Sequence, residues 1–342
     1  MNTRLLSRRD VADLLDPGTC RVAVEEAFRQ HGAGEAPPPQ VFAVPVEGGG
    51  FHVKAGTLRG VRRYFAAKVN GNFSGNERLG LPRIQGVIVL CDAEDGSVLA
   101  VMDSSEITKL RTAAATAVAA AQLARAGSKT VTIVGCGVQG RAQLRALARV
   151  LPLERAFAFD ENRERAARFE ESFSLKGQEE EPGGAGGRLA VRVAVRAAES
   201  LCEALAESDV VVTCTPSKKP LLFSSSPLRP GTFVAAVGAD AEDKQELDVG
   251  LLASAKVVTD VTAQCVAFGD LHHAIRAGLI SASDVHAELG EIVAGKKPGR
   301  TSQDEVIVFD STGMALQDVA AAAAAFERAE AERIGDLVSL SR

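Results

Sequence analysis

The sequence predicts an α/β protein: a doubly wound parallel sheet joined to a second, smaller α+β part. Three observations predict it. From Thr130 onward, short β-rich runs alternate with helical stretches: TVTIV (130–134), RAFAFD (155–160), DVVVTCT (209–215), TFVAAVG (232–238) and AKVVTD (255–260). Strands that alternate with helices over short loops pair in parallel, because each return to the same edge of a sheet needs a crossover. A glycine-rich hexapeptide follows the first of these strands and opens a helix. Residues 41–101 break the alternation: the apolar runs VFAVPV, FHVKAG, YFAAKVNGN, VIVLCD and SVLAVMD are separated by Gly, Asn and Pro, the pattern of a mostly antiparallel region.

The remaining elements follow in order. Ser7 to Asp10 reads S-R-R-D, a capping box ahead of Val11, Leu14 and Leu15. Pro17 starts a helix with Val22, Ala23, Ala27 and Phe28 at helical spacing, ended by Gly32 and Gly34. Pro37 to Pro39 form a stiff loop, and Asp92 to Gly96 a hairpin turn. ITKLRTAAATAVAAAQLARAG (107–127) is a long Ala-rich helix ended by Gly127. Beyond it, helices are predicted over 137–150, 161–173 and 197–208. Leu189, Val191, Val193 and Val195 read as a strand, after a surface loop QEEEPGGAGG (178–187). DEVIVFDSTG (304–313) is a strand and turn. The helix 314–333 comes after the parallel pattern has finished and so is free to return to the first part of the chain.

Composition limits the function. At 342 residues the chain is long enough for about two domains. With 46% hydrophobic and 24% charged residues it is globular. A net charge of −5, no Trp and the single Tyr64 argue against a nucleic-acid partner, which favours basic and aromatic surfaces. No apolar run approaches a membrane span, and charges interrupt the N-terminus before any signal-type apolar stretch forms. The six cysteines (Cys20, Cys91, Cys136, Cys202, Cys214, Cys265) include no C-x-x-C pair and read as reduced, mostly buried thiols. A cytoplasmic location with no membrane and no metal is expected.

The hexapeptide is Gly135-Cys136-Gly137-Val138-Gln139-Gly140, and Asp160 follows 20 residues after Gly140, at the end of the next strand. Strand, glycines, helix and distal acid together form the dinucleotide fingerprint of a Rossmann-like sheet. Gly135 permits the tight turn, and Gly137 lets backbone N–H groups approach a pyrophosphate at the helix N-terminus. Asp160 is either a ribose-binding acid or a helix cap. As a carboxylate it repels a 2′-phosphate and favours NAD, while Arg163 and Arg165 keep NADP within reach.

Three further polar residues carry candidate chemistry. Lys68 sits in the apolar run Phe65-Ala66-Ala67-Lys68-Val69, where an ammonium needs an anionic partner: a substrate carboxylate or an internal Asp or Glu. Arg111, in the Ala-rich helix, is either a carboxylate clamp or a solvated helix residue. Asp240 follows TFVAAVGA, at the carboxyl end of a strand where doubly wound sheets place their sites, and is either a general acid or base or a cap for the segment from Ala241. His272-His273 lacks a third ligand at metal spacing and reads as a polar loop pair.

Beyond these single residues, nearly the whole chain resembles the ornithine cyclodeaminase/mu-crystallin family, and within it the archaeal-type L-alanine dehydrogenases. The stretches that carry the resemblance are K-V-N-G-N (68–72), G-L-P-R-I-Q-G-V-I-V-L (80–90), A-V-M-D-S (100–104), L-R-T-A-A-A (110–115), V-G-C-G-V-Q-G (134–140), T-C-T-P-S-K-K-P (213–220), V-G-A-D (237–240), K-Q-E-L-D (244–248), D-V-H-A-E-L-G-E (284–291) and F-D-S-T-G-M-A-L-Q-D-V-A (309–320). The resemblance implies a homodimer. It implies a substrate-binding and dimerisation domain of residues 1–115 plus 306–342, and a Rossmann NAD(P)-binding domain of residues 116–305. It implies that Lys68 and Arg111 bind the carboxylate of an amino or imino acid and that Asp240 is a catalytic aspartate. Thr112, Thr215, Pro216, Val237, Gly238, Ser311, Thr312 and Gly313 would border the cofactor with the glycine loop. The family usually has a second arginine in the early β region. Here that stretch reads Phe51-His52-Val53-Lys54, so His52 or Lys54 is expected in its place. The implied reaction is oxidative deamination of a small L-amino acid. The alternatives are ornithine cyclisation to proline with loss of ammonia, reduction of a cyclic ketimine, and a crystallin-like ligand-binding role without turnover. Cys136 and Cys214 are expected beside the cofactor.

Overall fold

A computed structural model describes residues 2–173 and 193–340. Its strands, in chain order, are β1 (Asn2–Leu6), β2 (Gln40–Val46), β3 (Gly49–Arg59), β4 (Arg63–Phe73), β5 (Ile84–Asp92), β6 (Val98–Asp103), β7 (Thr130–Val134), β8 (Arg155–Phe159), β9 (Ala194–Ala197), β10 (Val210–Thr213), β11 (Lys218–Leu222), β12 (Phe233–Ala236), β13 (Gln245–Leu247), β14 (Lys256–Thr259), β15 (Ala287–Glu288), β16 (Ile307–Asp310) and β17 (Asp336–Ser339). The described residues divide into two compact units, one of 2–111 with 314–340, the other of 112–173 with 193–313. The division falls near Arg111 rather than at 115, and near Gly313 rather than at 305. The second shift has a clear cause: β16 pairs with β12 and β14, and so sits with the parallel sheet.

The first unit is a seven-stranded sheet in the order β17-β1-β6-β5-β4-β3-β2, antiparallel except between β1 and β6. One face is covered: Tyr64, Ala66, Lys68, Ile88, Leu90 and Met102 are buried. The helix Ala315–Glu332 packs on β3, β4 and the helix Pro17–Ala33. Alanines dominate its buried positions, so backbones approach closely. Gly56 helps, since a Cβ there would stand 2.7 Å from Leu316 Cδ2. The opposite face exposes Phe42, Val44, Phe51, Val69 and Val87. These residues share that face because they alternate along paired strands. The capping box of Ser7 and Asp10 forms as the sequence predicts. So does the left-handed Gly34 at the end of the helix 17–33, and so does the turn at Asp92–Gly96.

The second unit is an eight-stranded parallel sheet in the order β15-β14-β16-β12-β10-β7-β8-β9. The central strands β7, β10, β12 and β16 are buried along their whole length, which explains their mostly apolar sequence. The chain runs outward from β7 to β9, then returns to the other side of β7 as β10. That reversal opens a crevice at the strand carboxyl ends, where the glycine loop lies. A small parallel pair, β11 with β13, lies outside the main sheet. Five short strands escape the sequence reading: β1, β11, β13, β15 and β17. Each spans five residues or fewer, too few for a period, and its pairing partner is remote in sequence. Part of the strand expected over 189–195, and the loop 178–187, lie outside the described residues.

Candidate active site

Lys68 projects from the covered face of β4, with Lys54 and Ile88 as its cross-strand neighbours. Burying a lone ammonium there would cost on the order of several kcal/mol. Its partner is internal: Lys68 Nζ stands 2.8 Å from Asp318 Oδ1 and 2.7 Å from Oδ2. Thr108 Oγ1 lies 3.5 Å away. Arg111, in the helix Ser104–Leu123, reaches the same carboxylate. Its Nε donates to Asp318 Oδ1 at 3.1 Å, and a second guanidinium nitrogen donates to Gln317 Oε1 at 3.1 Å. Arg111 is buried, so the solvated-helix alternative fails.

Burial lowers the Lys68 ammonium; Asp318 opposes that, Arg111 and Lys54 add to it, and the group settles at about 7. Burial pushes Asp318 up, yet Lys68 and Arg111 outweigh it and hold the carboxylate below its usual value. Two buried cations share one carboxylate, an arrangement suited to a second, visiting one. His52 and Lys54 alternate on β3, facing the same side as Lys68, and are half-buried. Asp318 and Gln317 were not among the sequence candidates. The signal was present: an acid in an apolar, Ala-rich helix needs a buried cation as much as Lys68 needs an anion.

In the second unit, Gly135 takes φ +105°, and a Cβ there would meet the Cys214 carbonyl oxygen at 2.9 Å. Gly140 has no room either, because its Cβ would stand 2.2 Å from the Gly135 oxygen. Gly137 differs: nothing lies within 4 Å of a Cβ there, and it starts the helix Val138–Leu147 with no side-chain cap. Val138 beside it is exposed. An open, uncapped helix N-terminus is the cradle a pyrophosphate needs. Asp160 Oδ2 accepts from Cys136 N at 2.9 Å and Oδ1 from Asn162 N at 3.0 Å. Asn162, not Asp160, caps the next helix by accepting from Glu164 N and Arg165 N. Exposed Arg163 begins that helix. These residues fit a nicotinamide dinucleotide.

The other predicted cofactor residues occupy turns at strand ends. Thr215 and exposed Pro216 follow β10, and Val237 and Gly238 follow β12. Buried Glu246 accepts from Thr215 N at 2.6 Å and from Gly238 N at 2.8 Å. Ser311, Thr312 and Gly313 follow β16. Asp260 accepts there from Ser311 Oγ at 3.0 Å and Gly313 N at 2.6 Å. Thr112 lies in the helix 104–123, where its carbonyl accepts from Thr116 Oγ1 at 3.4 Å. Cys136 is buried and Cys214 half-buried, its thiol donating to the Gly135 carbonyl at 3.2 Å. Of the six thiols, Cys20 and Cys265 are also buried, Cys91 is half-buried and Cys202 exposed.

Asp240 is exposed and paired with the Lys244 ammonium. Residues 241–244 form a turn, so Asp240 caps no helix. His273 Nε2 donates to the Lys244 carbonyl at 2.8 Å, and His272 Nδ1 donates to that of Val266 at 2.9 Å. The histidine pair lies in the helix Asp270–Arg276 rather than in a loop, and it anchors backbone, including the segment that follows Asp240. Among the described residues no group of three or more His, Cys, Asp or Glu could hold a metal ion, and no helix is long and apolar enough to cross a membrane.

The model of the ornithine cyclodeaminase/mu-crystallin family matches residues 1–333. An alanine dehydrogenase of Archaeoglobus fulgidus is 37% identical over 342 residues, covering 100% of both chains. A solved archaeal alanine dehydrogenase dimer with bound NAD superposes with a TM-score of 0.91 at 36% identity, over 99% of this chain and 100% of the other. A Δ1-pyrroline-2-carboxylate reductase of Thermococcus litoralis, in complex with NADH and L-proline, gives a TM-score of 0.89 at 32% identity, over 98% and 100%.

Proposed function

The chain belongs to the ornithine cyclodeaminase/mu-crystallin family of NAD-dependent oxidoreductases, and from that premise we propose that it oxidatively deaminates a small L-amino acid such as L-alanine. The observation that carries this reading is the pairing of Lys68 and Arg111 around the single carboxylate of Asp318. A substrate carboxylate supplies the missing negative charge, and Arg111 fixes its plane.

Gly135, Gly137, Gly140 and Asp160 would hold NAD, and a bound NAD would supply the hydride acceptor. The amino acid loses a hydride and a proton to become an imino acid. Asp240 takes a proton from the water that attacks the imine carbon and returns one to the departing amine, leaving a keto acid and ammonia. The Lys244 ammonium orients the Asp240 carboxylate for that exchange.

Asp240 favours this reading over ketimine reduction, because hydrolysis of an imine needs a group to move protons to and from water, whereas reduction of a cyclic ketimine involves no attack by water. Ornithine cyclisation shares the first half-reaction, with a side-chain amine attacking in place of water. A panel of amino acids and cyclic imines with either nicotinamide separates them. NADH accumulates with L-alanine if the proposal holds. Proline forming from ornithine without net NADH, or NADH consumption with pyrroline-2-carboxylate alone, overturns it. Asp240→Asn should lower kcat by about 100-fold or more while NAD affinity stays near wild type; unchanged turnover removes its role. The exposed apolar sheet face of Phe42, Val44, Phe51, Val69 and Val87 suits a homodimer, checked by sedimentation at twice the monomer mass.

A further inference from the structure

We infer that Glu246 is the positioning residue of the dinucleotide site, holding the turns after β10 and β12 in one fixed arrangement; this rests on the dinucleotide reading above. Glu246 is fully buried, and among the described residues its carboxylate is met by backbone N–H groups and hydroxyls rather than by a Lys or Arg. It takes four hydrogen bonds. Oε1 accepts from Thr215 N at 2.6 Å and Thr215 Oγ1 at 2.7 Å. Oε2 accepts from Thr213 Oγ1 at 2.8 Å and Gly238 N at 2.8 Å. An ionised carboxylate offers about four acceptor directions, and all are used. The contact at Gly238 leaves no slack: a Cβ there would stand 2.6 Å from Glu246 Cδ and 2.3 Å from the Thr215 oxygen.

Glu246 is itself held. Asp270 Oδ1 accepts from Glu246 N at 2.7 Å and Leu247 N at 2.8 Å. Asp310 accepts from Leu271 N at 2.9 Å and lies directly before Ser311, Thr312 and Gly313. Buried carboxylates thus tie together backbone at the carboxyl edge of β10, β12 and β16. Turn N–H groups beyond the last strand pairing have no ladder partner, and a buried acid is the acceptor that both satisfies and orients them.

The test is Glu246→Gln. The threonine hydroxyls can rotate to accept from the new amide, but the N–H groups of Thr215 and Gly238 cannot. One of them is left facing a donor. At a temperature where the variant is folded by circular dichroism, the Kd for NAD+ should rise about tenfold or more, with KM for NAD+ rising further than kcat falls. Leu247→Ala, buried on the same strand, is the control for general loosening: it should lower Tm yet keep the NAD+ Kd within about twofold. A folded Glu246→Gln protein with wild-type Kd, or an equal rise in Leu247→Ala, overturns the assignment. Should Glu246→Gln not fold, Thr213→Val removes one donor without changing shape and should raise Kd about threefold; no rise overturns the assignment. If the wild-type protein binds no NAD+, it is the dinucleotide reading that fails. Amide exchange over 213–217 and 237–240 then reads the clamp without ligand: faster in either variant supports it, unchanged overturns it.

Discussion

The two units bury charge in opposite ways. In the first, Lys68 and Arg111 are buried with Asp318, so charge answers charge. At the carboxyl edge of the second unit's sheet, Glu246, Asp260, Asp270 and Asp310 are buried and answered by backbone N–H groups, hydroxyls and a thiol. The electrostatic consequences differ in sign. Asp318 is held below the usual carboxylate range, whereas burial drives Glu246 and Asp270 upward and lifts Asp310 to about 7. A cluster with more cations than anions invites a further anion. Acids turned onto backbone donors hold turns in place and serve as framework, although Asp270 keeps one buried oxygen, Oδ2, without a hydrogen-bond partner.

The sharpest way to break this contrast is Asp318→Ala. It leaves two buried cations without their counter-ion and should cost about 3–5 kcal/mol of stability, read from urea unfolding. Asp310→Asn should cost less, about 1–2 kcal/mol, because an amide oxygen still accepts from Leu271 N. If the two losses match, the units do not differ as described.

Asp160 is the intermediate case, since it accepts backbone N–H groups like the framework acids but is only half-buried. If it also faces the ribose, Asp160→Ala should weaken NAD binding by about 1–3 kcal/mol and weaken NADP binding less. Titration with both dinucleotides decides it. Equal weakening makes Asp160 a framework acid that supports Cys136 and nothing more.

How much of this is legible in the sequence follows from the same contrast. The parallel strands, the glycine loop and the long helices carry local periodicity or fixed spacing, and each is found from its own residues. Lys68 and Arg111 stand out locally as charges in apolar surroundings, yet their partner lies more than 200 residues away in sequence. Nothing near Lys68 points to Asp318. Glu246 is harder still. In K-Q-E-L-D it looks like one solvated charge among several, and only the pairing of β13 with β11 and its place below β10 and β12 bury it. The short β1 and β17 fail for the same reason, since their pairing is supplied by remote strands.

The most gradual expected effect is a change in slope of stability against pH. A single group contributes at most about 1.4 kcal/mol per pH unit. Asp310 is raised from 3.8 to about 7, so the folded state binds more protons between those values. Its contribution is present below pH 4 and is lost as pH rises through 7. Lys68 is lowered from 10.5 to about 7, so the unfolded state binds more protons between those values. Its contribution is present above pH 10 and is lost as pH falls through 7. The two groups therefore bend the curve on opposite sides of neutrality. Urea unfolding from pH 5 to 9 should show Asp310→Asn gaining on wild type as pH rises toward 7, and Lys68→Met losing its relative advantage as pH rises beyond 7. Parallel curves for wild type and either variant mean that residue titrates alike in the folded and unfolded chain, and the opposition between the units loses that member.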